Sequence, residues 1–347
     1  MPTSLKLGRR QAILLGSAGI IALAGCAPTK KTKLIGGVVL DLGGPDDHSF
    51  NASAVKGLSM AQSQLHLPVG ATKWVETNSP SDYQTNLAGL AAQGYEVVFA
   101  VGYAMYSALK EVAPQFPKID FAIVDDEAPS FPNCAGIVFK ENESSFLAGY
   151  LAGEMTKTGK IGFVGGQQIP LIEKFEAGYR AGAETANPKV VVTATYTGDW
   201  NDETKGRSQA AQQFGAGDDI IFQAAGKAGL GVINEAKARG AGYYAIGVDM
   251  DQDYLVPGRV LTSVIKRIDV VIVDTIKDVI AGKFQSGTHI YGLKDNGVGL
   301  SPMTYTKQLI PPQVLSNISK LQNMIIDGKF EPPSTLAALK TFTPPKL

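Results

Sequence analysis

The sequence predicts an α/β protein made of two lobes, each with a parallel β-sheet covered by helices. Short apolar segments rich in β-branched residues alternate with longer amphipathic segments, as in proteins built from β-α-β units. The chain has 347 residues, of which 44% are hydrophobic and 18% are charged, so it can form two packed cores. The candidate strands also outnumber those of one compact sheet, which favours two lobes over one.

The strands are predicted from runs of high β-propensity that lie between turn residues. They are expected at 34–40, 72–76, 97–101, 121–124, 161–164, 190–195, 219–222, 243–248 and 260–264. The helices are predicted from apolar residues at helical spacing, such as Val55 and Leu58 in the first of them. They are expected at 52–64, 83–93, 106–113, 144–156, 172–185, 204–214, 229–238, 269–281 and 313–327.

Composition excludes several classes of protein. Lys and Arg number 32, as do Asp and Glu, so a formal net charge of zero gives no bulk attraction to nucleic acid or an anionic membrane. Two cysteines cannot form a disulfide framework, and the three histidines lack the spacing of metal ligands. The body also lacks a P-loop and a G-x-S-x-G nucleophile motif. We therefore expect a binding protein, not an enzyme, without metal, cofactor or nucleic-acid partner.

Residues 1–25 are typical of a lipoprotein signal peptide. A basic stretch precedes an apolar run at 12–24, which is shorter than the roughly 20 residues that span a bilayer. The run ends in Leu-Ala-Gly-Cys, which resembles the bacterial lipobox, so we expect lipidation at Cys26 and a flexible tether at 26–33. The leader holds three basic and no acidic residues, so its removal would leave 322 residues with a net charge of −3. Its paired arginines leave the general and the twin-arginine export routes both open.

Polar residues, an aromatic residue and a glycine recur where the predicted strands end. They are Asp41, Asp125, Asp126, Trp200, Gly226, Asp249 and Lys266. A single Asp after a strand is usually a helix cap. Ligands of open parallel sheets, however, bind beyond the carboxyl ends of the strands, so the recurrence favours a ligand-binding cleft.

Seven motifs follow one another along the body of the chain. The first, at 41–51, reads Asp-x-Gly-Gly-x-x-Asp-x-Ser-Phe-Asn, and the others lie at 143–152, 159–166, 175–179, 221–226, 246–252 and 261–267. Together they resemble the basic membrane protein family. Members of this family are lipoproteins similar to the purine nucleoside receptor A, and they are substrate-binding subunits of ABC transporters. The resemblance covers nearly the whole chain after the leader.

The resemblance implies a type I periplasmic-binding-protein fold. In this fold two Rossmann-like lobes with parallel sheets are joined by a three-strand hinge, and the ligand is closed between them. The N-terminal lobe would comprise 34–139 plus 265–290, and the C-terminal lobe 140–264 plus 291–347.

The resemblance also implies an aromatic sandwich for a nucleobase. Phe50 would offer one face, and Trp200, which stands where the family usually has Phe, would offer the other. Stacking on a base is worth about 1–3 kcal/mol. The alternative for Phe50 is a core position beneath the following helix. Phe175 has apolar neighbours at helical spacing, so we interpret it as a packing residue.

The carboxylates fit recognition of hydroxyl and amino groups. Asp125 and Asp249 could each accept two hydrogen bonds from the vicinal hydroxyls of a ribose. Asp41 could accept from a base amino or imino group. Lys266 could donate to a sugar oxygen or balance the buried carboxylates, whose burial without a partner would be costly.

Two further residues complete the implied ligand-binding set. Gly226 would allow close approach of the backbone, and Asn51 would cap the following helix or contact the ligand. The family commonly has Gly-Gly-Thr-Gly where this chain has Gly-Lys-Ala-Gly at 226–229, so Lys227 adds bulk and charge near the ligand. Together with Trp200, this difference leaves the identity of the ligand open.

The sequence therefore predicts a monomeric, lipid-anchored receptor on the outer face of the cell membrane. It would capture a nucleoside, with a purine base favoured, and deliver it to ABC permease and ATPase subunits. A ligand sensor for a membrane partner and a binder of another aromatic small molecule are the alternatives. An exported nucleoside hydrolase is disfavoured, because neither a metal-binding Asp cluster nor an acid/base pair is evident.

Overall fold

The computed structural model describes residues 32–347. The predicted signal peptide at 1–25, Cys26 and most of the 26–33 tether lie outside the described residues. Within the described range no helix combines the length and apolar character needed to cross a membrane.

The described chain contains two six-stranded sheets. The strands are Gly36–Leu40 (β1), Thr72–Val75 (β2), Val97–Val101 (β3), Asp120–Val124 (β4), Cys134–Phe139 (β5), Lys160–Gly165 (β6), Val191–Tyr196 (β7), Ile220–Ala224 (β8), Tyr244–Asp249 (β9), Val260–Lys266 (β10), Gly287–Tyr291 (β11) and Val298–Leu300 (β12). The first sheet has the order β11-β5-β4-β3-β1-β2, and the second has the order β12-β10-β9-β8-β6-β7. All pairs are parallel except β10 with β12.

Helices connect most of the consecutive strands, whereas β4–β5 and β9–β10 are joined by loops. The helices are Phe50–Gln64 (α1), Tyr83–Gln93 (α2), Tyr106–Val112 (α3), Glu141–Met155 (α4), Pro170–Ala186 (α5), Glu203–Gly215 (α6), Gly229–Arg239 (α7), Ile268–Ile280 (α8), Pro312–Ile326 (α9) and Leu336–Leu339 (α10).

The predicted α/β class with two parallel sheets is confirmed. All nine predicted strands and all nine predicted helices are present. The prediction omitted β5, β11, β12 and the single-turn α10. Strand β11 is an edge strand whose residues are mostly exposed, so it lacks the apolar run that identified the others. Strand β12 has only three residues and provides an antiparallel edge for the second sheet.

Helices α4 and α5 pack backbone to backbone on the second sheet. A Cβ atom added to Gly149 would lie 1.9 Å from the carbonyl oxygen of Tyr179. One added to Gly182 would lie 1.9 Å from the carbonyl oxygen of Phe146. Because real Cβ atoms do not approach oxygen so closely, only glycine fits at these two positions.

The chain crosses between the sheets three times, after β5, after β10 and after β11. These crossovers are hydrogen-bonded to one another. Lys140 N donates to Tyr291 O at 2.9 Å, and Arg267 N donates to Gly297 O at 2.9 Å. The lobe boundaries predicted after 264 and 290 fall inside β10 and β11, so the second and third crossovers come one or two residues later. The division of the chain into lobes otherwise stays a prediction.

Candidate functional site

One cavity opens between the carboxyl ends of the two sheets. All eight residues proposed from the sequence to bind ligand contribute to its lining. They are Asp41, Phe50, Asn51, Asp125, Trp200, Gly226, Asp249 and Lys266. The structure thus brings together residues that are distant in sequence, although their contact with a ligand stays a prediction.

Lys266 lies at the centre of one end of the cavity, which we call the charged end. Its Nζ is 2.6 Å from Asp125 Oδ2, 3.8 Å from Asp249 Oδ1 and 3.7 Å from Glu141 Oε1. The lysine side chain is only 3% exposed. Burial by itself lowers the pKa of Lys266, but the three carboxylates outweigh it and hold the pKa above its ordinary value. Lys266 therefore remains charged and balances part of the buried negative charge.

Asp125 and Asp249 occupy matching positions in the two lobes. Asp125 follows β4 and Asp249 ends β9, and both have left-handed backbones, with φ of 70° and 63°. This conformation is uncommon for residues other than glycine and concentrates at functional sites. Both residues line the cavity, one from each sheet.

The hydrogen bonds at the charged end are incomplete. Ser49 Oγ donates to Asp249 Oδ2 at 2.5 Å, and Lys266 Nζ donates to Asp125 Oδ2. In the part of the chain that the structure describes, the buried Asp125 Oδ1 has no hydrogen-bond partner. Burial raises the pKa of Asp249 to about 6, although the charge of Lys266 opposes this shift. Buried carboxylate oxygens are normally satisfied, so Asp125 Oδ1 is available to accept from a ligand.

Aromatic rings form the walls of the cavity. The ring of Phe50 lies 4.9 Å from Lys266 Nζ, which is within the range of a cation–π contact. Trp200 packs its ring over Gly166, where a Cβ would come within 2.1 Å of a ring carbon. Phe175 packs against Phe222 as expected of a core residue, but it also lines the cavity. The interpretation of Phe175 as packing alone was therefore incomplete.

Asp41, Tyr103 and Trp200 form the opposite, outer end of the cavity. Asp41 accepts hydrogen bonds from the hydroxyl of Tyr83 and from the amide of Leu42. Burial raises the pKa of Asp41 above its ordinary value, with the hydrogen bond from Tyr83 opposing the shift. This carboxylate keeps further acceptor capacity, because an ionised carboxylate offers about four lone-pair sites.

The capping role predicted for Asn51 is wrong. The asparagine lies inside α1, and its Oδ1 accepts from Asp41 N at 3.0 Å, which fixes the loop after β1. Asp47 stabilises the start of the helix instead. Its carboxylate accepts from the amides of Ser49, Asn51 and Ala52 at 2.8–2.9 Å. Asp46 and Asp47 both lie just before the helix, so spacing alone could not select the one that binds its amides.

Sequence reasoning also missed residues that contribute to the site. Glu141 follows β5, which was missing from the expected strand ranges, so the strand-end rule was not applied to it. Tyr103 comes two residues after β3, so the same strand-end rule could have found it. Lys227, noted as a departure from the family pattern, lines the cavity, and its side chain has no ion pair or hydrogen bond within residues 32–347.

Hydrogen bonds join the two lobes across the mouth of the cleft. His48 Nδ1 lies 2.8 Å from the hydroxyl of Tyr254, and Gln252 Nε2 donates to His48 O at 2.9 Å. On the other side, the hydroxyl of Tyr103 donates to Gln167 Oε1 at 3.1 Å. The described conformation is thus one in which the lobes contact each other around the cavity.

The lining lacks histidine and cysteine. Cys134 is buried in β5, and burial raises the pKa of its thiol to about 12, so it is protonated at neutral pH. No group of three or more potential metal ligands occurs between residues 32 and 347. The groups that do line the cavity can stack on a ring, accept hydrogen bonds and donate from lysine.

Comparisons with known proteins agree with this architecture. Residues 35–333 match the model of the family described as "ABC transporter substrate-binding protein PnrA-like". The chain is 36% identical to the "ABC transporter nucleoside-binding protein BmpA" of Lactococcus lactis, over 93% of this chain and 97% of that protein. It is 36% identical to "Basic membrane protein A2" of Borrelia garinii, over 86% and 88% of the two chains.

A solved structure shares the fold. It is an ABC transporter solute-binding protein from Aeropyrum pernix, which matches with a TM-score of 0.79 and 28% identity over 89% of this chain and 96% of that one. The type I periplasmic-binding-protein fold implied by the motifs is thus confirmed. With its family model matched over 299 residues, the chain belongs to the PnrA-like family of ABC transporter substrate-binding proteins.

Proposed function

We propose that this protein captures a nucleoside, with a purine base, between its two lobes for uptake by an ABC transporter. The observation that carries this proposal is the unpartnered, buried Oδ1 of Asp125, which lies beside Lys266 at the charged end. A ribose presents two vicinal hydroxyls, and the carboxylates of Asp125 and Asp249 can accept from both. We therefore assign the ribose to the charged end.

The base would lie between Phe50 and Trp200. Both aromatic side chains line the same cavity, and a purine offers a larger stacking face than a pyrimidine. Asp41, at the outer end, would accept from an amino or imino group on the edge of the base. The nucleoside-binding relative from Lactococcus lactis supports the same class of ligand.

The cellular role follows from the proposed leader. Cleavage before Cys26 and lipidation of its thiol would hold the protein, as a monomer, on the outer face of the membrane. Permease and ATPase subunits would take the ligand from the cleft. Mass spectrometry of the protein purified from membranes would test the anchor, and an unmodified Cys26 in that sample would contradict it.

Titration calorimetry tests the ligand. The protein is unfolded, dialysed to remove co-purified ligand and refolded, and then titrated with adenosine, guanosine, inosine and cytidine. We expect the purine nucleosides to bind more tightly than cytidine. Absence of binding heat with all four would remove the nucleoside proposal.

A matched pair of ligands tests the position of the sugar. Adenosine and 2′,3′-dideoxyadenosine differ only in the two hydroxyls that Asp125 and Asp249 would accept. Loss of hydrogen bonds to charged groups costs about 1.5–3 kcal/mol each, so the dideoxy compound, which lacks both hydroxyls, should bind at least about a hundredfold more weakly. Equal affinities would show that the ribose does not lie at the charged end.

A further inference from the structure

A second cavity adjoins the first and shares only its outer end. The two have Asp41, Leu42, Tyr103 and Trp200 in common. None of the residues at the charged end borders the second cavity. Its volume is about 390 Å³. It therefore extends the binding site on the side of the base and away from the ribose.

We call this second cavity the outer chamber. Beyond the shared wall it is lined by Pro80, Tyr83, Ala104, Ser107, Ala108 and Gln167. The first five come from the first sheet's lobe, and Gln167 comes from the turn after β6. The chamber thus lies at the mouth of the cleft, where the two lobes meet.

The walls of the outer chamber combine aromatic rings and small aliphatic side chains with the polar groups of Asp41, Ser107 and Gln167. The hydroxyl of Tyr83 is already used in its hydrogen bond to Asp41, and the hydroxyl of Tyr103 donates to Gln167 Oε1. The only ionisable carboxylate on its walls is Asp41, at the boundary with the main cavity. Rings and small aliphatic side chains of this kind suit an apolar or aromatic group.

Asp41 fixes the direction in which a ligand would enter the chamber. In the proposed binding mode its carboxylate accepts from an exocyclic amino group of the base. A secondary amine keeps one N–H for that hydrogen bond, while its second substituent points away from the base. Because Asp41 borders both cavities, that substituent would extend into the outer chamber.

We infer that the protein takes nucleosides whose exocyclic amino nitrogen carries an apolar substituent, with the substituent in the outer chamber. This inference rests on the proposed function, because it needs the base between Phe50 and Trp200. It extends the ligand class from simple nucleosides to base-modified ones.

Adenosine and N6-benzyladenosine test the inference in the same titration. We expect the benzyl compound to bind at least as tightly as adenosine, because its ring gains apolar contacts in the chamber. A benzyl compound that binds more than about tenfold more weakly than adenosine would overturn the inference and leave the proposed function intact. If neither compound binds, the inference and the proposed function are both overturned.

A chamber-filling variant locates the substituent. Ser107 is exposed on α3 and borders the chamber, whereas Lys110 is exposed on the same helix and does not. Ser107→Trp should weaken the binding of N6-benzyladenosine by at least about tenfold and leave the affinity for adenosine within about twofold. Lys110→Trp should change neither affinity. An equal effect of Ser107→Trp on both ligands, or no effect on either, would overturn the inference. Unchanged denaturation midpoints would establish that both variants fold.

Discussion

The charged end and the outer end of the cavity are built on opposite principles. At the charged end, Lys266 is fully buried among three carboxylates, and two of these are held by strained backbone. At the outer end, Asp41 is bordered by Tyr103 and Trp200, and the space continues into a chamber that is open towards solvent. One end is enclosed and held by ion pairs, and the other is bounded by rings with space beyond.

This difference assigns separate tasks to the two ends. Buried ionic groups tolerate little change, since moving or removing one leaves the others without a partner. Aromatic surfaces accept any flat ring, because every base has a π-face. We therefore expect strict selection of the sugar at the charged end and broad acceptance at the outer end.

The largest expected effect comes from breaking the charged end. Lys266→Met would leave Asp125, Asp249 and Glu141 buried without their shared cation, and we expect it to lower the free energy of unfolding by about 3–5 kcal/mol. Denaturant titration monitored by circular dichroism measures this loss. Lys33→Met is the control, because its ion pair with Glu96 is exposed and should contribute at most about 1 kcal/mol. Similar losses of unfolding free energy in both variants would contradict the claim that the burial of Lys266 makes its ion pairs more important than an exposed pair.

The next effect separates binding from stability at the same end. Asp125→Asn keeps the shape of the side chain but removes its negative charge, and we expect it to weaken adenosine binding by about 2–3 kcal/mol. Calorimetry with adenosine and its 2′,3′-dideoxy analogue measures this change. The variant should discriminate less between the two ligands than the wild type does. If the variant discriminated between the two ligands as strongly as the wild type, the ribose hydroxyls would not bind Asp125.

The outer end is tested through the two tryptophans of the chain. Trp200→Ala should weaken nucleoside binding by about 1–3 kcal/mol without unfolding the protein. Trp74 is a matched control, because it lies on the edge strand β2, is 40% exposed and is remote from the lining. Ligand should also change the fluorescence of Trp74→Phe but not that of Trp200→Phe. A ligand response that survives only in Trp200→Phe would contradict stacking on Trp200.

The smallest effect is a pH dependence of binding that Asp249 contributes at the charged end. Asp249 has a pKa of about 6, raised by burial, and its ionised form is the one that accepts from the ligand's hydroxyls. Affinity should thus be fully present above pH 6 and fall as the pH drops through 6, by about tenfold at pH 5. Calorimetry at pH 5 and 7.5 measures this change. Asp249→Asn should bind more weakly at pH 7.5 and lose most of the dependence, and an unchanged slope in that variant would assign the titration to another group.

Much of the fold and the site could be predicted because parallel sheets place their strand ends together. Asp41, Asp125, Asp249 and Lys266 were found by that rule, and the structure brings them into one cavity. The same rule was not applied to Glu141, because the strand before it was missing from the expected ranges.

Other features were hidden from the sequence for a physical reason. Helical periodicity identifies the buried face of α5, but it cannot distinguish Phe175 facing a core from Phe175 facing a cavity. Asp47 and Asn51 both lie at the start of α1, and only their hydrogen bonds reveal which one holds the helix amides. The outer chamber arises from side chains of several separate segments, so no local pattern encodes it.

The close contact between α4 and α5 has a consequence for mutational tolerance. Gly149, Gly178 and Gly182 meet opposing carbonyl oxygens, at distances of 1.9–2.4 Å from any added Cβ, and none of the three lines the cavity. In a saturation-mutagenesis library selected for uptake, even alanine should be depleted at these positions. Such a scan would mark a stripe of intolerant sites remote from the ligand, and these sites should be attributed to folding and not to transport.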